Sequence, residues 1–204
     1  MENPIDFPDL ESFGKNNYIK ELDDLKDVIN WSQEYFKKNP LINEENLCLL
    51  GHSRGGGICI LKAAQDQRIK KLITLASVCE FDTRTTAISD LNLWRKKGVA
   101  FVLNARTKQQ MPHYYQFYEN FIAHKDTLNI KKATKILNIP VLIIHGDNDT
   151  SVNMQEAKKL HKWYPRSTLK IIEGANHVFN TKHPWIDSTI PSIFSSVIRI
   201  ISKF

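Results

Sequence analysis

The chain has 204 residues, of which 42% are hydrophobic and 25% charged, and a formal net charge of +6. That length holds one sizeable core and leaves little for a second, and the composition is ordinary for a soluble globular protein. The excess Lys and Arg are scattered, with small groups in WRKKG and NIKKATK and no aromatic-interleaved basic stripe, which argues against a nucleic-acid or membrane surface.

The three cysteines, Cys48, Cys59 and Cys79, sit in or beside apolar segments without a disulfide framework, and predict buried thiols in a reducing compartment. Neither CxxC nor HExxH spacing occurs, so no metal site is expected. The opening MENPIDFPDLESFGKNN is polar and proline-bearing, unlike a signal peptide or membrane anchor, and a cytoplasmic protein is the expectation.

In chain order, Pro4, Pro8 and Gly14 punctuate residues 1–16, which read as irregular. From Asn17 to Lys38, Tyr18, Leu22, Leu25, Val28, Ile29 and Phe36 recur at helical spacings, predicting an amphipathic helix closed by Asn39-Pro40. NLCLLG then reads as a short apolar strand, and residues 54–66 as a helix with Ile58, Leu61 and Ala64 on one side. KKLITLAS, IPVLIIHG and TLKIIEGA are further unbroken apolar runs of strand length, which predict strands buried on both faces. Helices at 153–163 and 185–203 complete an alternation that implies an α/β domain, with a mostly parallel sheet and flanking helices. Residues 82–138 interrupt it. DLNLWRKKG, FVLNARTKQQ and YYQFYENFIAH read as mostly helical, and so long an insertion between sheet strands predicts a helical cap within a single domain spanning 1–204.

Chemistry concentrates at three strand ends. In LCLLGHSRGGG, Ser53 follows an apolar strand and precedes a glycine-rich helix start, so Gly51 and Gly55 fit a G-x-S-x-G turn that exposes the serine hydroxyl. Serine is a weak nucleophile without a base to take its proton and a carboxylate to orient that base. Asp147 and Asp149 follow the third sheet strand in HGDNDTSV, and one of them is expected to serve only as a turn or cap residue. His177 follows the fourth strand in GANHVF. The order Ser, Asp, His at strand ends predicts a nucleophile, an acid and a base. His52 reads as packing around the turn, and His113, His124, His161 and His183 as surface or cap residues without ligand spacing. The aromatic run HYYQFYENF reads as packing of the cap, and Arg95, Lys96 and Lys97 as a solvated face.

On these motifs the chain resembles the α/β-hydrolase superfamily from residue 17 onward, in particular the cap-bearing serine hydrolases grouped with serine aminopeptidases and small esterases. The resemblance implies Ser53 in GHSRGG as nucleophile, Asp149 in GDND as acid in preference to Asp147, and His177 in GANH as base. The backbone N–H of Arg54 would be half of an oxyanion hole. It implies hydrolysis of a small-molecule carboxylic ester, with short peptides as the alternative substrate, and no metal or organic cofactor. In the superfamily a longer run of strands precedes the nucleophile, whereas Ser53 comes early here. The expectation is therefore a partial domain whose front strands, and the loop with the second oxyanion donor, are missing. NLCLLG would then be an open sheet edge available for self-association. The chain would be either a weakened hydrolase, or a catalytically silent fragment or binding module.

Overall fold

The computed structural model describes residues 6–37, 39 and 45–204, so Pro4, Lys38 and Pro40 fall outside the described residues. In chain order the elements are α1 (Leu10–Gly14), α2 (Tyr18–Phe36), β1 (Leu47–His52), α3 (Arg54–Gln65), β2 (Ile69–Leu75), α4 (Asp82–Thr86), α5 (Leu91–Lys97), β3 (Val99–Leu103), β4 (Gln110–Tyr114), α6 (Gln116–Ala123), α7 (Ile130–Ile136), β5 (Val141–Gly146), α8 (Gln155–Trp163), β6 (Thr168–Ile172) and α9 (Ser192–Ser202). Two compact units divide the chain: residues 1–24 with 80–128, and residues 25–79 with 129–204.

In the second unit a four-stranded, wholly parallel sheet runs in the order β1-β2-β5-β6. This is the α/β class that the alternation of strands and helices implied. Side chains alternate across the sheet. Ile73, Leu75, Leu142 and Ile144 face one way and pack with Ala175, Phe179 and Val197 of α9. Leu72, Thr74, Val141 and Ile143 face the other way, toward Ile60 of α3, Thr134 of α7 and Leu160 of α8. The Arg68 guanidinium ties α2 to the α3–β2 turn, donating to Asn30 Oδ1 (2.9 Å) and Gln33 Oε1 (2.8 Å) while pairing with Asp66.

Three expectations for this unit need correction. Strands buried on both faces describe β5, and β2 from Leu72 onward, but β1 and β6 are largely open. Unbroken apolarity does not distinguish an inner strand from an outer one, and β1 and β6 each have a single neighbour among the described residues. Cys48 is accordingly exposed on β1, whereas Cys59 and Cys79 are buried, with burial pushing the Cys59 thiol up to about 11. The closing helix starts at Ser192 rather than at 185, because Pro191 caps it and holds the preceding residue away from helical backbone.

The first unit departs further from expectation. Residues 10–14, anticipated as irregular, form α1, capped by the Asp9 carboxylate, which accepts the Ser12 N–H (2.8 Å). FVLNARTKQQ, anticipated as helical, supplies most of an antiparallel hairpin, with β3 paired to β4 from Val99↔Tyr114 to Leu103↔Gln110. Val99, Phe101 and Val102 suit a pleated strand. Asn104 turns the chain by accepting the Arg106 and Thr107 N–H groups on its side-chain oxygen. Trp94 is fully buried and donates its Nε1–H to His113 O (2.7 Å). Tyr18 stacks on Phe81 with 4.1 Å between ring centroids, and Phe117 and Phe121 close around it. Two rings of the aromatic run, Phe117 and Phe121, thus pack this unit's core. Arg95, Lys96 and Lys97 are exposed in the last turn of α5, where positive charge suits the helix dipole.

Of the stretch anticipated as a cap, 82–128 lie in the first unit and 129–138, including α7, in the second. No helix of the described residues is long and apolar enough to cross a membrane. The contrast between inner and outer strands has a measurable consequence. Ile144→Ala, at a fully buried position of β5, is expected to lower unfolding free energy by about 2–4 kcal/mol. Leu50→Ala, at a position of β1 that is 48% exposed, should change it by less than about 1 kcal/mol. Urea denaturation of both variants checks the difference.

Candidate active site

The C-terminal ends of the parallel strands share one edge, where α/β sheets collect their reactive loops. Four backbone hydrogen bonds carry the ladder past the strand ends. Ser53 N–H donates to Leu75 O (2.9 Å), Ala76 N–H to Ile144 O (2.8 Å), Asp147 N–H to Ile172 O (3.2 Å) and Asn148 N–H to Ala175 O (3.0 Å). The loops after β1, β2 and β5 are thus each bound to the next strand, or to its loop, as they leave the sheet.

Ser53 sits between β1 and α3 at φ 55° and ψ −124°, a conformation that costs a non-glycine residue about 1–3 kcal/mol. The tight approach of helix to strand explains the surrounding glycines. A Cβ at Gly51 would stand 2.4 Å from Gly55 O, and one at Gly56 would stand 2.4 Å from Ser77 Oγ. At Gly55 an added Cβ would meet nothing within 4 Å. The steric requirement therefore falls on Gly51 and Gly56, a correction to the G-x-S-x-G reading, which placed it on Gly51 and Gly55. Arg54 is the first residue of the 12-residue α3, which puts its backbone N–H at the positive end of the helix dipole.

The remaining sequence candidates lie on the loops after β5 and β6. Asp149 has a fully buried carboxylate. Its Oδ1 accepts the Ser151 and Val152 N–H groups (both 2.8 Å), and its Oδ2 accepts from His177 Nδ1 (2.8 Å). A carboxylate offers no hydrogen, so the His177 proton must be on Nδ1, and the lone pair on Nε2 accepts from the Ser53 hydroxyl at 3.0 Å. Ser53, His177 and Asp149 are therefore joined in one unbroken chain of hydrogen bonds. Such a chain can draw a proton from the serine oxygen while the carboxylate stabilises the resulting imidazolium. Burial alone would raise the Asp149 pKa. The Val152 N–H, His177 and the Ser151 N–H outweigh it and hold the carboxyl below its ordinary 3.8.

Asp147 has different work. Its Oδ1 accepts the Gly174 N–H (2.7 Å), which clamps the loop after β5 to the loop after β6. Gly146 makes that clamp possible, since a Cβ there would stand 2.1 Å from Ala175 O. The loop after β6 is also bound to itself. Asn176 Oδ1 accepts the Val178 and Asn180 N–H groups (3.1 and 2.8 Å), and Asn180 Oδ1 accepts the Asn176 N–H (3.0 Å). Phe179 anchors the loop in the core at 2% exposure.

Sequence reasoning missed several of these residues. His52, read as packing, is exposed, and its Nε2–H donates to His177 O at 2.8 Å, which joins the strand before Ser53 to the loop that carries His177. His145, in the middle of an apolar run, is fully buried beside Asp149. The only available signal was a polar residue inside an otherwise apolar strand four residues before an aspartate. His161 bonds Ser167 Oγ through Nδ1 (2.8 Å), His124 Nδ1 bonds Asn120 O (2.9 Å) and His183 is exposed. A cavity of about 520 Å³ lined by Gln33, Arg68 and Lys70 opens near the start of β2 rather than at this edge.

With the geometry in place, comparison with known proteins decides the family. The sequence profile of the prolyl oligopeptidase family matches residues 14–187. The chain belongs to this family. A proline iminopeptidase of Xylella fastidiosa (strain Temecula1 / ATCC 700964) is 37% identical over 68 residues, covering 33% of this chain and 21% of the relative. An uncharacterized 31.7 kDa protein from the traX-finO intergenic region of Escherichia coli is 26% identical over 186 residues, covering 76% of this chain and 63% of the relative. Each of these alignments spans less than two thirds of the relative's length. The crystal structure of a putative hydrolase from Agrobacterium vitis S4 is similar with a TM-score of 0.71 at 18% identity, over 94% of this chain and 70% of that one. The fold is of the α/β-hydrolase kind, as the motifs implied.

Two outcomes are expected from the site's geometry. Gly56→Ala should destabilise the protein by about 1–3 kcal/mol through the collision with Ser77, whereas Gly55→Ala should be neutral or stabilising by up to about 1 kcal/mol; urea unfolding of both checks this. The depressed Asp149 pKa means that the carboxylate contributes stability above its unfolded pKa near 3.8 and loses it as pH falls through the lower folded value. Asp149→Asn should therefore be less stable than the parent at pH 7, by about 1–3 kcal/mol, with the gap closing below about pH 4. Thermal unfolding across pH 3–8 reads it.

Proposed function

We propose that the protein is a serine hydrolase that cleaves a carboxylic ester through an acyl-serine intermediate. The observation that carries this reading is the continuous Ser53–His177–Asp149 hydrogen-bond chain, with donor–acceptor distances of 3.0 and 2.8 Å. In this scheme Ser53 Oγ attacks the ester carbonyl as His177 Nε2 takes its proton, and Asp149 stabilises the imidazolium through Nδ1. The carbonyl oxygen becomes an oxyanion, for which the backbone N–H of Arg54 is the assigned donor. Collapse breaks the carbon–oxygen bond, and the leaving alcohol takes the proton from His177. Water then repeats the sequence on the acyl-serine, releasing the acid and restoring Ser53. Every proton in the scheme moves between groups of this chain, the substrate and water, and it calls on no metal or organic cofactor.

Small esters are the first choice of substrate because their leaving groups make the least demand on the site. Short peptides are the alternative, which is supported by the family and by the proline iminopeptidase relative. The buried thiols of Cys59 and Cys79 fit a reducing, cytoplasmic setting.

A fluorophosphonate probe, applied to monodisperse protein beside Ser53→Ala, tests the proposal. The parent chain is expected to be labelled at Ser53 and the variant not at all. Asp149→Asn should lower the turnover of a chromogenic ester by about 10⁴-fold. A folded parent chain that takes no label would overturn the reading. Parallel assays with p-nitrophenyl esters and amino-acid p-nitroanilides distinguish ester from peptide chemistry.

A further inference from the structure

We propose that His145 is a positioning residue for the acid of this site: it holds the Asp149 turn in register and fixes the carboxylate oxygen that His177 uses. The inference rests on the Ser53–His177–Asp149 reading given above. His145 lies on β5, fully buried, in the only described strand that is buried at all of its positions. Its Nε2 is 2.9 Å from Val152 O, a group that can only accept, so the imidazole carries its hydrogen on Nε2 and donates it there. The same nitrogen stands 3.2 Å from Asp149 Oδ2. That is the oxygen that receives His177 Nδ1–H.

Val152 is thereby held from both ends. Its N–H donates to Asp149 Oδ1 and its carbonyl accepts from His145, so the four-residue turn from Asp149 to Val152 closes against the strand that precedes it. The two carboxylate oxygens are distinguished as a result: Oδ1 is occupied by the turn's own N–H groups, and Oδ2 lies between two imidazoles. Removing the Nε2–H would leave Val152 O buried without its donor and loosen the turn whose N–H groups hold Asp149 Oδ1. His145 Nδ1 has no hydrogen-bond partner among the described residues. All of the ring's polar work is therefore done through Nε2, which makes the role specific enough to be mimicked. The terminal amide of glutamine can place an N–H near the Nε2 position, whereas leucine cannot.

His145→Leu and His145→Gln, compared with the parent on a p-nitrophenyl ester, test the assignment. His145→Leu is expected to lower kcat by about tenfold or more with KM unchanged within about twofold, and His145→Gln to recover kcat to within about threefold of the parent. In proton NMR, the downfield signal of His177 Nδ1–H should shift or broaden in the leucine variant and be retained in the glutamine variant. Parental kcat and an unmoved signal in folded His145→Leu would overturn the role. So would a glutamine variant as impaired as the leucine one, which would mark His145 as filler of the core. Should His145→Leu not fold, ¹⁵N–¹H correlation of the parent's histidine rings decides: a proton on Nδ1 of His145 instead of Nε2 sinks the proposal. If the parent hydrolyses no substrate, the function reading fails, while the NMR comparison still answers for the position of Asp149.

Discussion

The parallel hydrogen-bond ladder, extended beyond the ends of its strands, is the constraint on which the candidate site depends. Ser53, Asp149 and His177 are far apart in sequence, and their loops leave three different strands. What brings them together is that all of those strands end on one edge and that each exiting loop is bound across to its neighbour. The bond from Ser53 N–H to Leu75 O fixes the serine turn to β2, and Ala76 N–H to Ile144 O fixes the end of β2 to β5. The bonds of Asp147 and Asn148 to Ile172 and Ala175 fix the loop after β5 to β6 and its loop. A parallel sheet supplies these stitches naturally, because neighbouring strands run in the same direction and finish together.

That edge works only because it is sterically open at chosen positions. Gly51, Gly56 and Gly146 each occupy a point where two backbone segments, or a backbone and a buried side chain, come closer than a Cβ allows. Between them they let α3 lie against β1 and Ser77, and let the loop after β5 touch the loop after β6. The strain thereby stored at Ser53, in the left-handed region, is offset by the packing of α3 on the sheet. The polar groups at the edge divide the labour. Asp147 ties loops, Asp149 accepts from His177, and His52 and His145 each direct one ring N–H at a main-chain carbonyl of the neighbouring loop or turn.

The other unit has a core of its own, built from rings rather than aliphatic strands. Tyr18, Phe81, Phe117 and Phe121 form one cluster, and Trp94 is locked by its bond to the His113 carbonyl. Its hairpin escaped the sequence reading because FVLNARTKQQ has no alternation that separates strand from helix. What decides it is the pairing of Val99–Leu103 with Gln110–Tyr114, a contact between segments rather than a property of either. The same applies to burial in the sheet: NLCLLG and IPVLIIHG look alike as text, yet one is an outer strand and the other an inner one.

By itself, the sequence determined the α/β class, the sheet strands to within a few residues, and the order of Ser53, Asp149 and His177 along the chain. Those features are local: an apolar run, a glycine-rich turn, and a polar residue just after a strand. Tertiary structure alone decided which glycines are sterically required and which loop Asp147 ties, while its hydrogen bonds agree with the preference for Asp149 over Asp147 that the GDND motif implied. It also brought two further histidines against these residues, His52 at His177 and His145 at Asp149. Each of these depends on an approach across the fold, such as Gly56 to Ser77, Gly146 to Ala175 or His52 to His177, between segments that are not neighbours in the chain. Periodicity and motif spacing report only what a residue's chain neighbours are. Contacts made by folding are set by sheet order and register, and here those fixed which polar groups meet at the edge.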